Sequence, residues 1–207
     1  MTPFDWLAAI IVVTSFIYLS FVLTLKEWFE GLRKGQAVTL LPARSGRDMP
    51  IWANLALVLV GLGLAGLMLY YLWIPFIQVS TTASVVLGVA GLVVYLVGLW
   101  FVLWARRTLG RNWGLSTSRQ VKLLDDHVLI QDGPFAWVRH PMYSGWCMCM
   151  VGLTLLYPVW MILVLLISCL VAFPARAHRE ESALAERFGD QWNAYKARTK
   201  FMIPFVY

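Results

Sequence analysis

The chain alternates between long uncharged runs and short polar connectors. Trp6–Leu25, Ile51–Ile74 and Val79–Ala105 contain no charged residue, and each reaches the roughly 20 residues that cross a bilayer as helix. The pattern predicts a first helix over about Phe4–Leu25, a second over about Ile51–Ile74 ending at Pro75, and a third over about Thr81–Arg107. Lys26 to Pro50 reads as an irregular connector, broken by Gly35, Pro42 and Ser45-Gly46. Gly110 stands where the third helix would be capped. Two shorter apolar stretches follow, about Ser144–Leu156 and Val159–Phe173, hinged at Tyr157-Pro158. They predict a tight helical hairpin, extended at its ends by Tyr143 and Ala175, that returns both ends to one face. Leu184, Phe188, Trp192 and Tyr195 then recur at helical spacing opposite Glu186, Arg187, Asp190 and Lys196, predicting an amphipathic helix over Ala177 to about Arg198. The apolar tail Phe201–Tyr207 is expected to tuck back against the fold.

Composition agrees with the pattern. Of 207 residues, 60% are hydrophobic and 14% charged, which excludes an ordinary soluble domain. The expected fold is all-α: a polytopic membrane bundle of about five transmembrane helices, read as a single domain over 1–207. Residues 1–107 would supply three helices and 108–207 the working region. The first run is not expected to be a cleaved signal peptide, because it lacks a basic leader and follows Asp5.

The net charge of +6 would suit nucleic acid, but its distribution argues against that. Lys26, Arg33, Lys34, Arg44 and Arg47 form one cluster, and Arg106, Arg107, Arg111, Arg119 and Lys122 another, both beside helix ends. By the positive-inside rule they face the cytoplasm, with the uncharged Pro75–Ser80 loop and the N-terminus outside. Cys147, Cys149 and Cys169 lie in apolar stretches without metal-type spacing, so core packing is expected and no metal site.

One motif is a decoy. Gly61-Leu62-Gly63-Leu64-Ala65-Gly66 matches a dinucleotide fingerprint letter for letter, but that fingerprint works only as a strand-to-helix turn. In the middle of an apolar helix it predicts close helix approach instead, as do Gly88, Gly91 and Gly98.

The candidate chemistry gathers in Gly133-Pro134-Phe135-Ala136-Trp137-Val138-Arg139-His140-Pro141-Met142-Tyr143. Gly133-Pro134 forces a turn, and Pro141 keeps the Arg139 and His140 amides out of any helix running upstream. A pinned polar segment between apolar runs has two readings, headgroup-level residues or a site. Arg176 and Glu180, four apart, share a helix face just past the hairpin. They too read either as a routine ion pair or as paired site residues.

Arg139-His140-Pro141-Met142-Tyr143 resembles the signature of the isoprenylcysteine carboxyl methyltransferase family and the related membrane phospholipid methyltransferases. The resemblance runs from about Gln120 to the C-terminus, through His127-Val128-Leu129-Ile130, Gly133, Phe135, Tyr143-Ser144-Gly145-Trp146, Arg176, Glu180-Glu181, Trp192 and Tyr195. It implies S-adenosyl-L-methionine as cofactor, held by Gln120, His127, Val128, Leu129, Ile130, Phe135, His140, Pro141, Met142, Tyr143 and Glu180. It implies Arg176 as the substrate-contacting residue, with Arg176 and Glu180 at the catalytic centre. Phe135 departs from the eukaryotic pattern, which has tyrosine there. In that frame Glu180 pairs with the cofactor ammonium, His140 donates to its tail carboxylate or ribose, and Tyr143 faces the sulfonium.

The implied activity is carboxyl O-methylation of a lipophilic, prenyl- or lipid-like acceptor at the cytoplasmic membrane face, with no obligatory protein partner. A carboxylate is already ionised at neutral pH and needs no general base, whereas an amine acceptor does. Two alternatives stand beside it. One is a phospholipid N-methyltransferase. The other is an NADPH-dependent enzyme like the membrane sterol reductases, for which Arg111, Arg119 and Lys122 would supply cations.

Overall fold

The computed structural model describes residues 3–19, 59–60, 63–64, 66–67, 70–110 and 128–203. The chain forms two compact units, residues 1–48 and 49–207. In the first, helix α1 covers Pro3–Ile17. The expected continuation to Leu25 and the 26–50 connector lie outside the described residues.

In the second unit, every described residue from 59 to 72 is helical. A short loop at 73–80 leads into α2, Thr81–Leu109, where the Ser80 side chain accepts the Ala83 amide as an N-cap. Gly110 ends α2 with φ of 51° while its amide bonds to the Arg106 carbonyl, a left-handed step that glycine takes without penalty. A 3-10 turn at Gly133–Ala136 precedes α3, Pro141–Leu156. Then come α4, Trp160–Phe188, and α5, Asp190–Arg198. No strand occurs among the described residues; two isolated bridges, Pro75 with Val159 and Val138 with Lys200, tie the loops together.

The tightest joint in this unit lies between α2 and α3, which run antiparallel. A Cβ built on Gly98 would stand 2.7 Å from the Gly145 carbonyl oxygen, and one on Gly152 would stand 2.5 Å from the Tyr95 amide nitrogen. Gly91 faces Gly152 in the same way, at 2.7 Å from its carbonyl oxygen. Glycines seven apart on each helix therefore let the backbones touch, as expected for Gly91 and Gly98. Gly63 and Gly66 behave differently. No described atom lies within 4 Å of a Cβ at either, so among the described residues close approach does not account for these two positions.

The hinge falls at Tyr157-Pro158. There the Phe76 amide bonds to Pro158 O at 3.0 Å and the Trp160 amide to Ile74 O at 3.1 Å. The hinge and the 73–80 loop thus share one end of the unit, and the signature occupies the other. Trp104 of α2 meets Trp137 edge-on at 5.3 Å between ring centroids there.

The second arm of the hairpin corrects the sequence reading. It does not stop near Ala175; α4 runs through Pro174 to Phe188, 29 residues in all, about 43 Å at helical rise. Proline here forfeits one bond, to the Leu170 carbonyl, without ending the helix. The amphipathic segment is also not one helix. Gly189, at φ of 49°, caps α4 and starts α5, so Leu184 and Phe188 belong to α4 and the buried Trp192 and Tyr195 to α5. α2 and α4 are long and apolar enough to cross a membrane.

Candidate functional site

The amides that Pro141 keeps out of a helix find partners in the returning C-terminal segment. Arg139 N bonds to Lys200 O at 2.8 Å, His140 N to Phe201 O at 3.2 Å, and Lys200 N back to Trp137 O at 3.2 Å. Ser144 Oγ donates to Met202 O beside them. Phe201 and Met202 are buried against Ala177, Tyr143 and Phe173, so the tail does tuck back as far as it is described. His140 becomes the N-cap residue of α3, which places its ring at the mouth of the α3–α4 hairpin. Tyr195 OH donates to the Phe135 carbonyl at 2.8 Å, joining α5 to the 3-10 turn.

Adjacent glutamates on α4 divide the site. Glu180 Oε1 accepts from Tyr143 OH at 2.5 Å and from Arg176 Nε at 3.0 Å. Its Oε2 lies 3.8 Å from His140 Nδ1, beyond hydrogen-bonding distance. Glu181 is buried deeper. Its Oε1 accepts from Arg139 Nε at 2.6 Å and lies 3.3 Å from His140 Nε2, while its Oε2 pairs with Lys196 Nζ at 3.2 Å. Arg139 also donates through Nη1 to Thr199 O at 2.5 Å. Burial works to raise the Glu181 carboxyl, but the bonds from His140 and Arg139, the Arg139 charge and Lys196 outweigh it and push it down to about 2.

Aromatic rings fix the imidazole. Tyr143 stacks on His140 with 5.7 Å between centroids, and Phe201 meets it edge-on at 5.2 Å. Tyr143 stacks in turn on Phe173 at 5.0 Å. His178, on another face of α4, stacks on Phe201 at 4.7 Å.

Of the residues expected at the site, His140, Tyr143, Arg176 and Glu180 meet in one cluster. Pro141 and Met142 form the first turn of α3 beneath it. Phe135 is buried in the 3-10 turn, and Val128, Leu129 and Ile130 belong to the irregular segment that leads to that turn. Gln120 and His127 lie outside the described residues. Glu181 and Arg139 carried no expected role, although Glu181 meets Arg139, His140 and Lys196. Its signal was present only as the second member of Glu180-Glu181.

Apolar helices with an ionisable cluster at one end define a helical membrane protein with a built polar site. The phospholipid methyltransferase family model matches residues 86–191, more than half of the chain, and the chain belongs to that family. It is 36% identical over 89 residues to protein-S-isoprenylcysteine O-methyltransferase of Tribolium castaneum, covering 42% of this chain and 31% of that one. The Homo sapiens enzyme of that name is 30% identical over 131 residues, covering 58% and 42%. The Saccharomyces cerevisiae enzyme is 35% identical over 88 residues, covering 42% and 37%. The chain thus spans about a third to two fifths of the length of these curated relatives. Among solved structures, it is similar to the eukaryotic intramembrane Ras methyltransferase, isoprenylcysteine carboxyl methyltransferase. The TM-score is 0.52 at 26% identity, over 76% of this chain and 55% of that one.

Proposed function

We propose that the chain is an S-adenosyl-L-methionine-dependent methyltransferase that esterifies the carboxylate of a lipophilic acceptor, as its isoprenylcysteine-type relatives are named for doing. The observation that carries this reading is the Arg176–Glu180 pair, 3.0 Å apart on one face of α4. It sets a guanidinium and a carboxylate side by side at the polar end of an apolar hairpin. Bound there, the cofactor supplies an electrophilic methyl group on a sulfonium.

The residues present fit that cofactor. Glu180 is a partly exposed carboxylate held by Tyr143 and Arg176 through Oε1, which leaves Oε2 directed toward His140 and suited to an ammonium. Tyr143, stacked between His140 and Phe173, meets the site through its hydroxyl on Glu180 rather than through a ring face. Val128, Leu129, Ile130 and Phe135 supply the apolar and main-chain surface expected for adenine, with Gln120 and His127 completing the set. Arg176 is the more exposed member of the pair, at 42% against 23% for Glu180. A guanidinium is matched in shape and charge to a carboxylate. Holding that anion in line with the methyl group, away from water, is the main catalytic task left to the protein.

Sidedness and extent belong to the same proposal: a single domain of about five spans, the N-terminus outside, and the site at the cytoplasmic face with the C-terminus. The name of the matching family favours a second reading, N-methylation of a phospholipid amine. Incubating the purified protein with methyl-labelled cofactor and a prenylcysteine analogue tests the choice. An alkali-labile methyl ester supports the first reading; an alkali-stable methylamine on added phospholipid supports the second.

A further inference from the structure

Glu181 has no part in the reading above, yet it controls the chemistry of a residue that does. Held ionised by Arg139 and Lys196, its carboxylate can only accept hydrogen bonds. His140 Nε2, 3.3 Å from Glu181 Oε1, must therefore carry a proton. In a neutral imidazole the other nitrogen is then a lone pair. That nitrogen, Nδ1, faces Glu180 Oε2 at 3.8 Å, so two acceptors confront each other with no donor between them. Tyr143 and Phe201 hold the ring plane. Among the described residues, the other charged or titratable groups nearby are Arg139 and Lys196 on Glu181, Arg176 and Tyr143 on Glu180, and His178 stacked on Phe201.

The geometry points to Glu181 as a positioning residue that fixes His140 as its Nε2–H tautomer, so that Nδ1 and Glu180 Oε2 together form a two-acceptor cradle for a primary ammonium. His140 then accepts from the ammonium instead of donating to a carboxylate. The identity of the occupant rests on the cofactor proposal; the tautomer does not.

The test is nitrogen NMR on the full chain in detergent with 15N-labelled histidine, at about pH 8.5, above the ordinary imidazole range. The His140 signals are assigned by their loss in His140→Asn. The ligand-free wild type should show Nε2–H, and Glu181→Ala should move the proton to Nδ1, where Glu180 accepts it. Glu181→Gln, which keeps an acceptor oxygen, should retain Nε2–H. Adding S-adenosylhomocysteine should shift wild-type Nδ1 while leaving it unprotonated, and Glu181→Ala should weaken that binding about tenfold. An Nδ1–H in the ligand-free wild type, whether alone or in a doubly protonated ring, overturns the assignment even if Glu181→Ala fails to fold. An unchanged tautomer in folded Glu181→Ala overturns it as well. Nε2–H in a wild type that binds no S-adenosylhomocysteine upholds the positioning role and sinks the cofactor proposal instead.

Discussion

Arg139 and Glu181, 42 residues apart in the chain, meet with Nε 2.6 Å from Oε1 while their side chains are 9% and 6% exposed. The contact joins the signature to α4, and Lys196 on the same carboxylate draws in α5. Because the Glu181 carboxyl is lowered from 4.5 to about 2, the unfolded chain binds the extra proton first as pH falls. The resulting stability is fully present above about pH 5 and is lost as pH falls toward about 2. Unfolding temperature in detergent should fall across that window. Glu181→Gln should be less stable at neutral pH by about 3 kcal/mol, the low end for breaking a buried pair, because Arg139 keeps its bond to Thr199 O. The variant should also lose part of the acid dependence. An identical slope in wild type and variant would remove Glu181 as its source.

The α2–α3 joint makes a second prediction. Gly152→Ala puts a Cβ 2.5 Å from the Tyr95 amide and 2.6 Å from Gly91 O, both backbone atoms that cannot swing aside. The helices must separate, at a cost of about 1–3 kcal/mol or more. Gly66→Ala, with no described atom within 4 Å, should be neutral or stabilising by about 0.5–1 kcal/mol. Thermal unfolding of the two variants side by side checks the contrast.

Tyr195→Phe removes the donor to the Phe135 carbonyl and leaves a buried acceptor without it. A loss of about 1 kcal/mol is expected, with faster amide exchange through the 133–136 turn. Unchanged exchange there would mean that α5 does not hold the turn.

At the proposed cofactor site, Glu180→Gln should weaken S-adenosylhomocysteine binding tenfold or more, about 1.4 kcal/mol. Arg176→Ala should bind it within a few-fold of wild type and yet turn over no acceptor. Loss of cofactor binding in the Arg176 variant would contradict the division of labour between these two residues.

Local chemistry was the legible part of the fold. Gly110, Pro141 and Tyr157-Pro158 end or begin helices where residue type alone predicts, and the period-seven glycines of α2 do face another helix. The second hairpin arm and the polar segment after it read as separate elements because the composition changes near Ala175, yet the backbone helix runs on through Pro174. Gly189 was hidden inside an apolar stripe whose spacing runs on unbroken, so α4 and α5 read as one. The site was half legible. His140, Tyr143, Arg176 and Glu180 follow from the motif and from helical spacing. The partners of Arg139 lie 42 to 61 residues away, and no periodicity within a single helix encodes such a pairing.

Cofactor choice is the central claim, and calorimetry on the purified chain in detergent tests it most directly, with S-adenosylhomocysteine and NADPH titrated separately. Micromolar binding of S-adenosylhomocysteine, lost in Glu180→Gln, with no heat from NADPH, is the predicted result. Binding of NADPH alone would contradict methyl transfer and turn the site over to reductase chemistry.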